Sequence, residues 1–544
     1  MRLPKRSGPT PLYCVGVDAT AGVFLILLAF VVVFALLARK LQTPYPIVLV
    51  IAGLALSLVP GTPRIQLNPR LVFTVVLPPL LYAAAWTTSW RELRHNTVSV
   101  VSLACGLVSF TIAGVALAGP LMFAGFDWRM GVILGALVAP TDAVAATAIA
   151  TQVGLPQRLV DLLEGESLVN DATGLVALEV GVALLVAGVA PTLGFGLLRF
   201  TYLVAAGIAV GGVLGLVVAR IESWIDDAPV EIAISLLVPY AAYLGAESIR
   251  ASGVLAVVTS GLILSRRSAE FFSPSVRLQV YSVWNAVVFI LNGAVFVLIG
   301  LQLPDIVHSV AGVSPARLAF DGAIFSALVI GLRLLWVEPG ATLSFFIRRR
   351  LLHQAEQRPS GRELLVFGWS GMRGVVSLAA AMALPAVLSN GAPFPQRSLI
   401  VFLAFSVVVS TLVVQGLSLA PLIRALGLGG GTGSACEEDE ASRIAIEAAL
   451  SHLADARTHD GAEYGGVYDD LAQHYRERLD ALRTTHAQVV SARTPQYLKY
   501  QMLSQELLKV QRRALVRLRR EGRINDQALR TLEHDLDLQE ARVG

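Results

Sequence analysis

The feature that most constrains this chain is a succession of long apolar segments within its first 430 residues. A helix needs roughly 20 mainly apolar residues to cross a bilayer, and about thirteen runs approach or exceed this length. They lie at about 16–38, 44–60, 69–86, 96–119, 129–151, 158–188, 192–219, 229–246, 252–265, 277–303, 316–347, 362–388 and 397–426. Because the runs are continuous rather than alternating, they indicate helices and not the strands of a membrane barrel. The sequence therefore predicts an all-α polytopic membrane protein with about 13 transmembrane helices.

Charged residues divide the chain into two unlike parts. The whole chain is 55% apolar and only 15% charged, against about 45–50% and about 25% in soluble domains. Residues 431–544 alone hold 16 Lys/Arg and 19 Asp/Glu, and a glycine-rich segment at 427–433 spans the boundary between the two parts. We predict a transmembrane domain at 1–430 and a helical tail at 431–544, with helices near 437–458, 466–494 and 495–543. This charge balance gives no reason to expect a nucleic-acid partner.

Basic residues in alternate loops indicate the orientation. One set of loops carries Arg39, Lys40, Arg91, Arg94, Arg158, Arg220, Arg266, Arg267, Arg277, Arg348, Arg349, Arg350, Arg358 and Arg362, whereas the opposite set carries only Arg64, Arg70, Arg129, Arg250, Arg317 and Arg397. The richer set is predicted to be cytoplasmic, which places the tail in the cytoplasm and the protein in the plasma membrane. With thirteen spans the N-terminus lies outside, and its basic residues Arg2, Lys5 and Arg6 do not fit that side. An even number of spans therefore stays open.

Asp142 is one of the few charges inside a predicted span. It follows Pro140 and Thr141, and the proline removes a backbone donor and disfavours a continuous helix. A broken helix with free carbonyls beside a carboxylate is how transporters hold a small cation. The alternative is a proline kink in which Asp142 only caps the following half-helix.

A second polar group occupies residues 165–174. Glu166, Asn170 and Thr173 share one stripe of a helix, and Ser167 and Asp171 begin the adjacent stripe. A polar edge of this width faces another helix or an aqueous cleft rather than lipid. Asp171, partly desolvated, can exchange a proton for a cation near neutral pH, with Ser167 and Thr141 supplying neutral oxygens. The alternative is a helix interface held by polar side chains.

Arg373 lies between Gly371 and Gly374 in another apolar run. A buried arginine needs a carboxylate partner, and Glu166 is the best candidate if Asp171 is reserved for ion exchange. Two further charges, Glu179 and Arg333, lie nearer predicted span ends and are expected to be structural or to reach the interface.

These residues together resemble the monovalent cation:proton antiporter-1 family, the sodium/proton exchangers. The resemblance covers most of the first 430 residues and is carried by five segments: PTDAV at 140–144, ESLVND at 166–171, SGVLAVV at 252–258, LNGAVFVLIG at 291–300 and GMRG at 371–374.

The resemblance implies a fold of inverted repeats with a core domain, dimerisation helices and two crossed broken helices, at 140–142 and 371–373. It implies a homodimer that exchanges Na⁺, or Li⁺ or K⁺, for H⁺ by an elevator-type movement and needs no cofactor besides the transported ions. Asp171 would bind both cation and proton, assisted by Asp142, Thr141, Ser167 and Asn170. Glu166 and Arg373 would form an ion pair that braces the site, and an asparagine at 170 goes with electroneutral exchange.

One position departs from the family pattern. After Pro78-Pro79-Leu80-Leu81-Tyr82, many members carry an acidic residue, and this chain has Ala83. If that acid binds sodium in relatives, this protein has one ligand fewer.

Three alternatives to sodium/proton exchange stay open. A potassium/proton exchanger would keep the same fold, and a cation channel would need no proton-carrying acid. An intramembrane serine protease would use Ser370 of a GWSG segment at 368–371. None of the eight histidines lies deep in a predicted span, so this serine has no evident base.

Overall fold

The structure, a computed structural model, describes residues 14–41, 43–60, 68–88, 94, 97–187, 193–310, 312–351, 353, 358–388, 392–429, 433–460, 465–487, 495–521, 523, 532 and 536. Within these ranges the regular structure is helical, apart from one isolated bridge between Val387 and Pro393. The all-α prediction is therefore confirmed. The chain divides into two compact units, residues 1–431 and 432–544.

In the described residues of the first unit we number sixteen helical segments, with short π-helical turns counted inside α3, α4 and α16. They are α1 Cys14–Lys40, α2 Tyr45–Ser57, α3 Pro69–Thr87, α4 Thr97–Met122, α5 Trp128–Val138, α6 Ala143–Val153, α7 Gln157–Ala187, α8 Leu193–Glu222, α9 Ala228–Ser248, α10 Gly253–Phe271, α11 Pro274–Leu301, α12 Leu303–Ser309, α13 Pro315–Leu351, α14 Gly361–Trp369, α15 Val375–Met382 and α16 Arg397–Ala425.

Each predicted apolar run overlaps one or two of these helices. In the described residues, eight helices are long and apolar enough to cross a membrane, or nine when the bent pair α5–α6 counts as one span. Segments such as α2, with 13 residues, and the halves α14 and α15, with 9 and 8, are too short to qualify alone. The protein is thus a multi-span membrane protein, whereas the count of about 13 crossings and the inverted repeats remain predictions.

Two clusters of buried apolar side chains organise the first unit. The larger one surrounds α5, α15 and α16 and includes Ile133, Leu134 and Leu403. The smaller one joins α3 to α8, α9, α10 and the first half of α11, around Tyr82 and Val257. Partly buried residues of α7 and α15 pack against both clusters, so the middle of the unit lies where the two clusters meet.

The second unit contains α17 Gly433–Asp460, α18 Gly465–Ala487 and α19 Pro495–Arg520. Arg457 of α17 pairs with Asp469 of α18, and its second nitrogen lies 3.1 Å from the carboxylate. Most of the helix predicted between 521 and 543 falls outside the described residues.

Candidate functional site

The helix containing Asp142 is broken. Helix α5 ends at Val138, α6 begins at Ala143, and the two are bent by 40°. Pro140 cannot donate to the helical ladder, which explains the position of the break. Asp142 caps α6, because its Oδ1 accepts from the Val144 N–H at 2.9 Å. The helix is therefore broken, and Asp142 also caps the half-helix that follows. The cap uses Oδ1 of Asp142 and not Oδ2.

A second break faces the first. Helix α14 ends at Trp369 and α15 begins at Val375, and the segment between them is not helical. The Asp142 N–H donates to the Met372 carbonyl at 2.8 Å, so the two breaks are joined through their backbones. The Arg373 N–H donates to Thr411 Oγ1 of α16 at 3.0 Å. Both predicted breaks are therefore present, and they meet where the resemblance predicts the two broken helices to cross.

Two glycines make this crossing sterically possible. A Cβ at Gly374 would collide with the Asp142 carboxylate, and a Cβ at Gly371 would collide with the Arg333 guanidinium. The glycine-flanked segment thus lets two charged side chains approach a backbone more closely than any other residue would permit.

Glu166 pairs with Arg333, and the predicted Glu166–Arg373 pair is wrong. Arg333 NH2 donates to Glu166 Oε2 at 2.8 Å and NH1 donates to Oε1, a bidentate arrangement. Arg333 Nε also donates to the Gly368 carbonyl at 3.1 Å. The side chains of Glu166 and Arg333 are 0% and 1% exposed. Contrary to the prediction, Arg333 therefore does not extend to the membrane interface. The prediction that Arg333 lies near a span end is wrong, because it sits at the middle of the 37-residue helix α13, where a charge needs a partner inside the protein.

Arg373 has a different partner. It is 1% exposed, and its NH1 donates to the Ala139 carbonyl at 2.9 Å. That carbonyl lies just past the carboxyl end of α5, where the break leaves acceptors unpaired and the helix dipole is negative. A positive charge there stabilises the half-helix without a carboxylate. Pro140 was the sequence signal for these free carbonyls.

Thr141 and Asn170 extend the network around Glu166. Thr141 Oγ1 donates to Glu166 Oε1 at 3.1 Å and accepts from Asn170 Nδ2 at 2.7 Å. Asn170 is 1% exposed and does not line the cavity described below. The structure therefore places Asn170 as a support for Thr141, not among the side chains open to an ion.

Asp171 lies at the inner end of a cavity of about 400 Å³. Asp142, Thr141, Ser167 and Glu164 also line it. The residues at this inner end are nearly enclosed, with Thr141 and Asp171 only 5% and 7% exposed. Towards the mouth the lining becomes solvent-accessible and consists of Thr87, Thr151, Tyr281 and Asn285. The cavity thus leads from exposed polar residues to the carboxylate of Asp171.

The charge of this cavity has one sign. Three carboxylates line it, and no Lys, Arg or His does so within the described part of the chain. Carboxylate, hydroxyl and carbonyl oxygens are what hard cations bind. The arrangement can therefore hold either a small cation or protons.

The cavity opens on the side of the basic loops. Its wall contains the start of α2, the first half of α7 and the second half of α3, and its exposed residues on α11, Tyr281 and Asn285, lie in the first half of that helix. Each of these ends adjoins a loop of the basic set, represented by Lys40, Arg94, Arg158 and Arg277. The charge bias predicts that this side is cytoplasmic.

Glu164 lines the cavity but was not among the site residues predicted from the sequence. It lies three residues before Ser167 and seven before Asp171, and this spacing on one helical face was the available signal. Ala83, the departure from the family pattern, also lines the cavity, so the missing acid falls at the same site.

Ser370 shows no sign of activation as a nucleophile. It is 2% exposed and its hydroxyl donates to the Phe367 carbonyl at 2.8 Å, at the end of α14. The side chain does not line the cavity.

The chain is similar to known membrane exchangers. The family model described as "Sodium/hydrogen exchanger, transmembrane" matches residues 26–425. An uncharacterized Na⁺/H⁺ exchanger of Mycobacterium tuberculosis is 34% identical over 96% of both chains. The Na⁺/H⁺ antiporter ApNhaP of Aphanothece halophytica is 34% identical over 76% of this chain and 75% of its own. A sodium, potassium, lithium and rubidium/H⁺ antiporter of Bacillus subtilis is 32% identical over 72% of this chain and 60% of its own.

Among solved structures, the sodium proton antiporter MjNhaP1 of Methanocaldococcus jannaschii matches with a TM-score of 0.58. The alignment covers 75% of this chain and 98% of that one at 20% identity, which shows a shared fold.

Replacing Arg333 tests the bidentate pair. Arg333→Met leaves Glu166 buried without a counter-ion, so we expect a loss of about 3–5 kcal/mol of stability. The measurement is thermal unfolding of the purified protein in detergent. As the control, Arg199→Met breaks the partly exposed pair with Glu179 and should cost at most about 1 kcal/mol. Equal shifts for the two variants would contradict the assigned importance of Arg333.

Proposed function

The chain belongs to the sodium/hydrogen exchanger family, and we propose that it exchanges one Na⁺ for one H⁺ across the plasma membrane by alternating access. The observation that carries this proposal is the one-sided cavity, which has three carboxylates, lacks basic side chains in the described residues and ends at Asp171 beside the crossed breaks. Low-dielectric walls of one charge sign concentrate cations from solution.

Asp171 is the carboxylate that binds cation and proton in turn. It sits at the inner end of the cavity, and Ser167 Oγ and the remaining oxygen of Asp142 provide further ligands. The Thr141 hydroxyl is engaged with Glu166 and Asn170, so Thr141 offers its carbonyl. Sodium, a hard cation, is suited to such an all-oxygen set.

Coupling follows from the cost of a bare carboxylate. With Asp171 neutralised by Na⁺ or H⁺, the site can cross the apolar barrier, whereas an ionised and empty site faces a penalty of several kcal/mol. Only loaded states therefore cross, and the two ions are exchanged one for one. Asn170, a neutral amide committed to Thr141, adds no second charge to this cycle.

The movement takes place between the two apolar clusters. Leu81 and Trp284 of the smaller cluster and Phe296 and Val375 of the larger one all line the cavity, so the two clusters meet there. We propose that the helices around the crossing slide against α8–α10 as an elevator, and that the latter helices form a homodimer. The described conformation then faces the cytoplasm, which also holds the tail, and no cofactor takes part.

Asp171→Asn is the direct test. In proteoliposomes with an internal pH dye, the variant should lose Na⁺-dependent proton movement, because an amide binds neither ion in exchange for the other. Glu179→Gln, on the same helix but outside the cavity, should retain wild-type rates. Exchange that persists in Asp171→Asn would remove this residue from the mechanism.

Competition for one carboxylate predicts a specific pH dependence. As pH falls, protons occupy more of Asp171, so the apparent KM for Na⁺ should rise while the maximal rate at saturating Na⁺ changes less. The measurement is a series of Na⁺ titrations between pH 6 and pH 9, repeated with Li⁺ and K⁺ to establish ion preference. A KM that does not change with pH would indicate separate sites for the two ions.

Electroneutral exchange predicts independence from membrane potential. A single charge moved across 100 mV would gain about 2.3 kcal/mol, and one-for-one exchange moves none. In proteoliposomes carrying a K⁺ ionophore, imposed potentials of either sign should leave the Na⁺-driven rate unchanged. Potential-dependent rates would instead indicate more than one proton per cation, and unitary currents would indicate a channel.

A further inference from the structure

We propose that Glu164 is a cation-recruiting carboxylate of the access path, which binds the arriving cation before Asp171 does. The inference rests on the proposed exchange function and adds to it a residue that determines the affinity for cytoplasmic cation.

Glu164 lies between the mouth and the inner end of the cavity. It precedes Asp171 by seven residues of α7, which is about two turns or ~10 Å along the helix. Ser167 lies between them on the same face, and all three residues line the cavity. A cation that moves along this face meets an oxygen at about every turn.

The Glu164 carboxylate differs from its neighbours on α7 in having open acceptor positions. No hydrogen bond or ion pair engages it among the described residues, although it is half-buried. Glu166, two residues on, faces the other way and is saturated by Arg333 and Thr141. Glu179 is paired with Arg199 at 3.1 Å. Glu164 is thus free to accept a ligand from the cavity.

Helix α6 supplies neutral oxygens to the same cavity. Thr147 and Thr151 of α6 line the cavity, and both hydroxyls donate to carbonyls one turn back, at 2.9 and 2.8 Å. Their remaining lone pairs can accept from the water shell of a cation. A partly hydrated cation can therefore rest beside Glu164 without a fixed coordination shell.

We expect Glu164 to affect the binding of the cation and not its translocation. A unit charge about 10 Å from the binding carboxylate, in a cavity of intermediate dielectric, changes local cation occupancy by about 3- to 10-fold. The charge is partly accessible to solvent, so added salt screens it. Removal should raise KM, leave the maximal rate nearly intact and weaken the dependence on ionic strength.

The experiment compares wild type and Glu164→Gln in proteoliposomes, with Na⁺ supplied on the face that carries the basic loops. At low ionic strength we expect an increase of about 3- to 10-fold in KM and a maximal rate within about 2-fold of wild type. In high choline chloride the two KM values should converge. Glu164→Asp, which keeps the charge, should restore most of the wild-type KM.

The matched control is Glu179→Gln, which removes a carboxylate from the same helix outside the cavity and should leave KM unchanged. An unchanged KM in Glu164→Gln, or a lower maximal rate at constant KM, would overturn the proposal. The same holds if Glu164→Asp behaves like Glu164→Gln. Should Glu164→Gln fail to fold, Glu164→Ser carries the same comparison.

The experiment also separates the two proposals. If wild type itself exchanges no Na⁺ for H⁺, the proposed function fails. If wild type is active and only the KM effect is missing, the inference about Glu164 alone fails.

Discussion

The buried ion pair between Glu166 and Arg333 is the interaction on which the rest of the site depends. It joins α7 to α13, and through the Gly368 and Phe367 carbonyls it also fixes the end of α14. Thr141 adds the first break to the same carboxylate. A buried charge pair tolerates little displacement, because any separation leaves charges unpaired in an apolar surrounding. The positions of both broken helices therefore follow from this pair.

The two faces of helix α7 have different surroundings: one joins the buried polar network and the other lines the cavity. Glu166 and Asn170 point into the network, where Arg333 and Thr141 donate to the Glu166 carboxylate and the Asn170 amide nitrogen donates to Thr141. Ser167 and Asp171, one residue further along in each case, line the cavity. A rotation of one residue, about 100°, is enough to turn a side chain from one environment to the other. The rigid face holds the open face in place, which allows Asp171 to be buried without a counter-ion of its own.

The break at Pro140 illustrates a similar division on a smaller scale. The proline leaves acceptors at the end of α5, and Arg373 satisfies one of them. Asp142 caps the start of α6 with one oxygen. The two half-helix ends are thus stabilised by opposite charges that the crossing brings together, and the second Asp142 oxygen stays available to the cavity.

The sequence by itself determined the membrane character, the broken helices and most of the cavity carboxylates. Long apolar runs admit only helices in lipid, proline and glycine mark where those helices break, and a charge in a span is too costly to lack a function.

The sequence did not determine which charges pair. Glu166 could have met Arg373 or Arg333 as far as spacing shows, and they are 207 and 167 positions away along the chain. The tertiary structure decided for Arg333, because the depth of a side chain in the membrane and its distance from a partner on another helix depend on helix packing. Glu164 became part of the site for the same reason: only the assembled cavity shows which carboxylate faces water and which is already engaged.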